Sequence, residues 1–397
     1  MYNPQTLPRT LETTFARSIM IHQHFSRRKF LHGITAGSTG AALGSLPGVP
    51  STRAAETGAD ALSPVTAVSY PIAEPGKGAN VARLKIATRA KIPEDYQEKL
   101  RAFFSGVALN ICGSPEEFHQ EVADSDAIYG GFSREDLSAA KQLKWIQWTA
   151  AGVEGILWPE LVNSPIVLTN MQRMFAPTIS ETVIGLLLSL TRGLDRYVNQ
   201  TREHKWARLH QLKEISGMTM GIVGLGGNGT EIAYRAFYGF DMKILAVDPK
   251  PLPKPEFVSE LHSLDWFPKM VSQVDVLVSA APHTPLTFHL FNEGVFRSMK
   301  PGSYFINIAR GALVDSPALI RALQEGWIAG AGLDVVHKEP LPPEDPLWNA
   351  PNLIITSHSS GVSAGTDRRL LELLTENVRR YLNGLPLLNV VDKKRGY

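Results

Sequence analysis

The feature that most constrains this chain is the run "MGIVGLGGNGTEIAYRAFYGF", in which an apolar stretch meets Gly224, Gly226 and Gly229 and passes directly into a helical pattern. A G-x-G-x-x-G turn between strand and helix has a mechanical meaning. The first glycine permits the tight turn, the second lets backbone approach a pyrophosphate, and the third lets the helix pack against the strand. The helix N-terminus then offers unpaired N–H groups and the positive end of its dipole to the phosphates. Gly227 and Asn228 lie inside the same turn. Asp248 ends the next apolar run, "KILAVD", 19 residues beyond Gly229. A carboxylate there accepts hydrogen bonds from ribose hydroxyls and repels a 2′-phosphate, so the expected cofactor is NAD, with NADP disfavoured.

Around this turn, short apolar runs alternate with amphipathic ones. "ARLKIAT", "GVALNI", "DAIYGG", "LKWIQW" and "PIVLTN" read as strands of a first series, separated by stretches such as "PEDYQEKLRAFF" with acidic first turns. A long apolar segment, residues 177–194, reads as a buried helix. The second series runs through "MTMGIVGLG", "MKILAVD", "VDVLVSAAP", "GSYFINIA", "AGAGLDVV" and "NLIITS". Residues 366–382 then read as an amphipathic helix. Strand and helix in alternation imply parallel sheets. The expected fold is therefore α/β, with two doubly wound parallel-sheet domains and a cleft between them. The expected boundaries are 82–176 with 362–397 for one domain and 177–361 for the dinucleotide-binding one.

Residues 1–54 form a leader of different character. They hold six of the Lys and Arg residues and a single acid, Glu12, so the remainder of the chain carries 34 basic and 37 acidic residues. That balance gives the body no global positive field and excludes a nucleic-acid binder of the usual basic kind. The stretch "SRRKFL", residues 26–31, resembles a twin-arginine export signal, and small residues at "TRA" or "ADA" would suit cleavage. Residues 55–81 read as a linker. The expectation is export to the periplasm by the twin-arginine machinery, a route for folded proteins suited to a chain that takes up its dinucleotide first. Cys112 is the sole cysteine, which rules out an intramolecular disulfide, and no spacing of His, Cys and carboxylates suggests a metal site.

Three further runs, "INIARGALVD", "AGAGLDVVHKEP" and "NLIITSHSSG", each place polar residues just past an apolar stretch, at the carboxyl end of an expected strand. Open α/β sheets bind ligands at that edge. The candidates are Arg310, Asp334, Glu339 and His358. With "TAAGVEG" (149–155), "SETVIGLLLSLTRG" (180–193), "PHTPLT" (282–287) and the ending "LNVVDKKRGY", these runs resemble the D-isomer-specific 2-hydroxyacid dehydrogenase family, which includes glyoxylate/hydroxypyruvate reductases and 3-phosphoglycerate dehydrogenases. The resemblance spans about residues 82–397. It implies a flavodoxin-like substrate domain beside a Rossmann NAD-binding domain, and a homodimer. It also implies Arg310 as the substrate-binding arginine, Glu339 and His358 as the acid/base pair, Asp334 as a nicotinamide-side contact, and backbone N–H groups around Gly152 and Val153 as holders of the substrate carboxylate. Glu154, Ser357 and the pair Gly227–Asn228 depart from the family's commoner residues.

The chemistry suits those residue types. A guanidinium grips a carboxylate in a planar fork. An imidazole with an ordinary pKa of about 6.5 supplies a proton near neutrality. A neighbouring carboxylate favours the imidazolium and fixes the ring. The expected substrate is a small 2-oxo or D-2-hydroxy acid. Two other readings keep the fold: an NAD(H)-responsive binding protein without turnover, and a phosphite- or formate-type dehydrogenase. His283, His289 and His337 are expected to be bystanders.

Overall fold

The structure, a computed structural model, describes residues 83–397. The twin-arginine stretch, the small-residue sites and the linker lie outside the described residues. The first sheet is built from β1 (Leu84–Thr88), β2 (Val107–Ile111), β3 (Ala127–Tyr129), β4 (Trp145–Gln147) and β5 (Val167–Thr169). Its order is β2-β1-β3-β4-β5 and every pairing is parallel. That is the flavodoxin-like order. The second sheet contains β6 (Thr219–Val223), β7 (Lys243–Val247), β8 (Glu260–His262), β9 (Val276–Ser279), β10 (Tyr304–Asn307), β11 (Gly330–Leu333) and β12 (Leu353–Ile355). They lie in the order β12-β11-β10-β9-β6-β7-β8, again all parallel. The order reverses between β6 and β9, the switch point at which such sheets receive dinucleotides.

Parallel strands covered by helices on both faces need apolar residues throughout, and β9 and β10 are buried at every position. The edge strand β8 is the one that the sequence pattern misses. It has three residues, none of them buried, so it carries no apolar run to read. Local signals set the helix ends. Ser133 and Asp136 form a reciprocal capping box at the start of helix Arg134–Ala139. Helix Ala176–Arg192 stops at Gly193, whose φ of 62° suits glycine.

Two helices tie the sheets together. Helix Ala176–Arg192 leaves the first sheet and buries Ile179, Val183 and Leu187 in the core that includes Ile222, Ile244 and Ile306 of the second. Helix Ala364–Leu382 returns, packing Leu373, Leu374 and Val378 against Leu84, Ile86 and Trp145. Its Tyr381 ring stacks on Trp145 with centroids 5.7 Å apart. The terminal segment continues along the first sheet, where Lys393 Nζ donates to the carbonyls of Leu161, Ser164 and Ile166. Cys112 is buried, and burial pushes its thiol above the ordinary value, as an inert core residue requires.

Candidate active site

The glycine turn joins β6 to helix Gly227–Phe240. Gly224 adopts φ 93°, and its N–H donates to the Val247 carbonyl at 2.8 Å. A side chain at Gly229 would begin 2.0 Å from the Gly224 carbonyl oxygen, so helix and strand meet at backbone contact. Gly226 is the N-cap, no side chain caps the helix there, and a Cβ at Gly226 would meet nothing within 4 Å. First-turn N–H groups without a side-chain cap, beside the open space at Gly226, fit a pyrophosphate. Asp248 closes the turn on its other side by accepting from Leu225 N and Lys250 N, each at 2.8 Å. These residues would hold the cofactor.

The candidate chemical groups follow the carboxyl ends of three adjacent strands, β10, β11 and β12. Asn307 ends β10; its side chain donates to the Arg310 carbonyl at 2.9 Å, and its own carbonyl accepts from Asp334 N at 3.0 Å. Gly311 lets the Arg310 turn press onto the segment that carries Glu339: a Cβ there would lie 1.9 Å from the Val336 carbonyl carbon. His358 sits just past β12 in left-handed backbone (φ 52°), with Nδ1 2.7 Å from Glu339 Oε2. The other Glu339 oxygen accepts from Val336 N at 3.1 Å, which fixes the carboxylate. With Nδ1 committed to Glu339, Nε2 is left to face a substrate.

Asp334 is 1% exposed, and its carboxylate is turned onto the histidine-bearing turn. It accepts from Thr356 Oγ1 at 2.6 Å, from Ser359 N at 3.1 Å, and from both N and Oγ of Ser360. The backbone carbonyl of Asp334 also takes the N–H of His358 at 2.7 Å. In this structure Asp334 therefore braces the turn that holds the imidazole.

Arg310 reaches across to the other sheet. Its Nε lies 2.5 Å from Glu154 Oε1, and its Nη1 donates to the Ala309 carbonyl at 2.7 Å. The contact is possible because residue 152 is glycine: a Cβ there would sit 1.8 Å from Arg310 Nη2. Loop 149–155 follows β4 and is held by Trp148 Nε1 on the Gly152 carbonyl and Asn170 Nδ2 on the Ala151 carbonyl, at 2.8 and 2.6 Å. Val153, 1% exposed, anchors it in the core. Burial pushes the Glu154 carboxyl up, but hydrogen bonding and charge from Arg310, with a smaller contribution from His283, hold it below the ordinary carboxylate value.

Glu154 is the site residue that sequence reasoning did not select, although its departure from the family pattern was the available signal. Of the three expected bystanders, His283 contributes only a minor charge effect at Glu154. His337 belongs elsewhere: it pairs with Asp345 at 3.2 Å and meets Ser316 Oγ at 3.2 Å. His289 stacks on Phe288 with centroids 4.0 Å apart.

The profile of the "D-isomer specific 2-hydroxyacid dehydrogenase, NAD binding domain" matches residues 184–360. Glyoxylate reductase of Korarchaeum cryptofilum (strain OPF8) is 34% identical over 289 residues, which cover 69% of this chain and 85% of that protein. The chain belongs to the D-isomer-specific 2-hydroxyacid dehydrogenase family. Its dehydrogenase fold superposes on a D-isomer specific 2-hydroxyacid dehydrogenase family protein from Aeromonas salmonicida subsp. salmonicida A449 with a TM-score of 0.70 and 31% identity, covering 78% of this chain and 99% of the other. An NADPH-dependent glyoxylate/hydroxypyruvate reductase from Sinorhizobium meliloti, solved with NADP and sulfate, gives a TM-score of 0.67 at 28% identity over 79% of this chain and 100% of its own. This dehydrogenase is thus an oxidoreductase with an NAD(P)-binding domain.

Proposed function

We propose that the enzyme reduces a small 2-oxo acid of the glyoxylate/hydroxypyruvate type to its D-2-hydroxy acid, or runs the reverse reaction, with NAD(H). The observation that carries this reading is the 2.7 Å pairing of His358 with Glu339, two strands from an arginine that meets a glycine loop of the facing domain. The bound dinucleotide supplies the hydride. Arg310 holds the substrate carboxylate, with backbone N–H groups of Gly152 and Val153 on its other side, and so fixes the ketone carbon for attack from one face. His358 Nε2 donates its proton to the ketone oxygen as negative charge develops there. Glu339 keeps the ring oriented through its contact with Nδ1. In the oxidative direction His358 takes that proton back.

NAD is proposed over NADP because Asp248 stands at the end of β7 within reach of the turn, where its charge disfavours a 2′-phosphate. Asp334 is proposed to face the nicotinamide side through the turn it braces. A homodimer and export through the twin-arginine route complete the proposal; a fusion of residues 1–60 to a reporter that is active only after folded export tests the latter. Native mass spectrometry of protein recovered from the periplasm tests whether the dinucleotide travels with it; empty chains there would count against that. The activity is tested by following NADH oxidation with glyoxylate, hydroxypyruvate, pyruvate and phenylpyruvate, and NAD reduction with phosphite and formate. Turnover confined to 2-oxo acids supports the reading. Silence toward all of them by a protein that binds NADH identifies a binding module.

A further inference from the structure

A pyrophosphate carries two negative charges, yet residues 224–229, Gly-Leu-Gly-Gly-Asn-Gly, include no cationic side chain. A helix N-terminus compensates only part of that charge. An arginine of the other domain packs its stem on the start of the helix. Arg173 lies between β5 and helix Ala176–Arg192, and its stem rests on Gly227: a Cβ at Gly227 would be 2.3 Å from Arg173 Cγ and 2.9 Å from its Cα. Gly227 is thus a socket for this arginine.

The backbone makes a second, independent point. Arg173 has φ 75°, left-handed backbone that a branched or long side chain adopts at a cost and glycine adopts freely. The strain is imposed from both sides. Gln172 N donates to Asn170 Oδ1 at 3.2 Å, Asn389 Nδ2 donates to the Gln172 carbonyl at 3.0 Å, and Ala176 N donates to the Arg173 carbonyl at 3.0 Å. A strained arginine kept where glycine would be easier is a sign of function. Its charge is also felt further along the cofactor path. Burial first, then the positive charges of Arg395 and Arg173, hold the Lys250 amine below its ordinary value against the pull of Asp248 and Asp392. Arg173 thus stands at the helix start on Gly227, and its charge reaches Lys250, two residues beyond Asp248.

We propose that Arg173 is a cofactor-binding residue that grips the dinucleotide's pyrophosphate from the facing domain, with Gly227 as its matched seat. The assignment rests on the dehydrogenase reading above and adds the residue that neutralises the phosphates. Because the cation and the glycine turn belong to different domains, phosphate binding also ties those domains together.

The test is titration calorimetry of wild type, R173G and R173K with NADH, ADP-ribose and adenosine, alongside their melting temperatures. R173G relieves the left-handed strain while losing the stem's contact with Gly227, and its melting temperature shows that it is folded where the titrations are run. It is expected to bind NADH and ADP-ribose about 10- to 100-fold more weakly, the range for a lost charge-assisted pair, with adenosine affinity unchanged. R173K keeps the charge but not the fork and is expected to fall between the two. R173G binding NADH as tightly as wild type would overturn the proposal, as would a loss shared equally by adenosine. Wild type that binds neither NADH nor ADP-ribose would instead overturn the dehydrogenase reading beneath it.

Discussion

At the scale of single residues the site rests on close approaches in which an added atom displaces a working side chain. Gly152 is the clearest: a methyl group there would meet the far end of Arg310, a flexible side chain that Glu154 and the Ala309 carbonyl now hold and that can shift without disturbing the core. G152A is expected to melt near the wild-type temperature while losing about 10²-fold in kcat/KM, because the carboxylate grip is displaced rather than removed. R310K is expected to raise KM and lower kcat/KM by about 10- to 100-fold, since an ammonium cannot reproduce the fork. Steady-state kinetics on both variants check this. Glu154 adds a pH signature. Its carboxyl is held below the ordinary value, so its stabilising contribution is present above the unfolded-state pKa of about 4.3 and is lost as pH falls through the lower folded value. Urea unfolding of wild type and E154Q should accordingly differ near neutrality and converge below about pH 4. A difference that stays constant into acid would show that Glu154 is not ionised against Arg310.

At the scale of elements, much was legible in advance. The apolar runs gave every strand but β8, and Gly224, Gly226 and Gly229 placed the switch point of the second sheet. What the sequence could not show was how side chains close on one another across the two sheets. The Arg310 contact with Glu154 joins residues 156 positions apart, and no local pattern records it. Asp334 was readable as a polar residue at a strand end, but not as the acceptor of a whole turn, because its partners come from residues 356–360. The returning helix supplies a further test. Tyr96 Oη donates to the Leu371 carbonyl at 2.9 Å and fixes helix Ala364–Leu382 to the first domain. Burial pushes its phenol up to about 12. This raised value stabilises the fold below the ordinary phenol pKa of about 10, and that contribution is lost as pH rises from there through about 12. Y96F is expected to cost about 1 kcal/mol at neutral pH and to flatten the alkaline limb of the unfolding profile.

At the scale of the whole molecule, the two sheets present their carboxyl ends to each other, with the glycine turn and the His358 turn on one side and loop 149–155 on the other. Ligands that touch both sides should stabilise the enzyme as a unit. NADH at about 100 times its dissociation constant is expected to add about 2.7 kcal/mol, seen as a rise in melting temperature that grows with cofactor concentration. NADPH should give the smaller rise at equal concentration if Asp248 acts as proposed. In the proposed reaction His358, oriented by Glu339, delivers the proton to a ketone held by Arg310. Its most direct test is the turnover of glyoxylate and hydroxypyruvate with NADH by wild type and H358Q, with NADH affinity measured on both. Wild type is expected to turn over, and H358Q to bind NADH normally but lose about 10²- to 10⁴-fold in kcat. An H358Q enzyme as fast as wild type would contradict it.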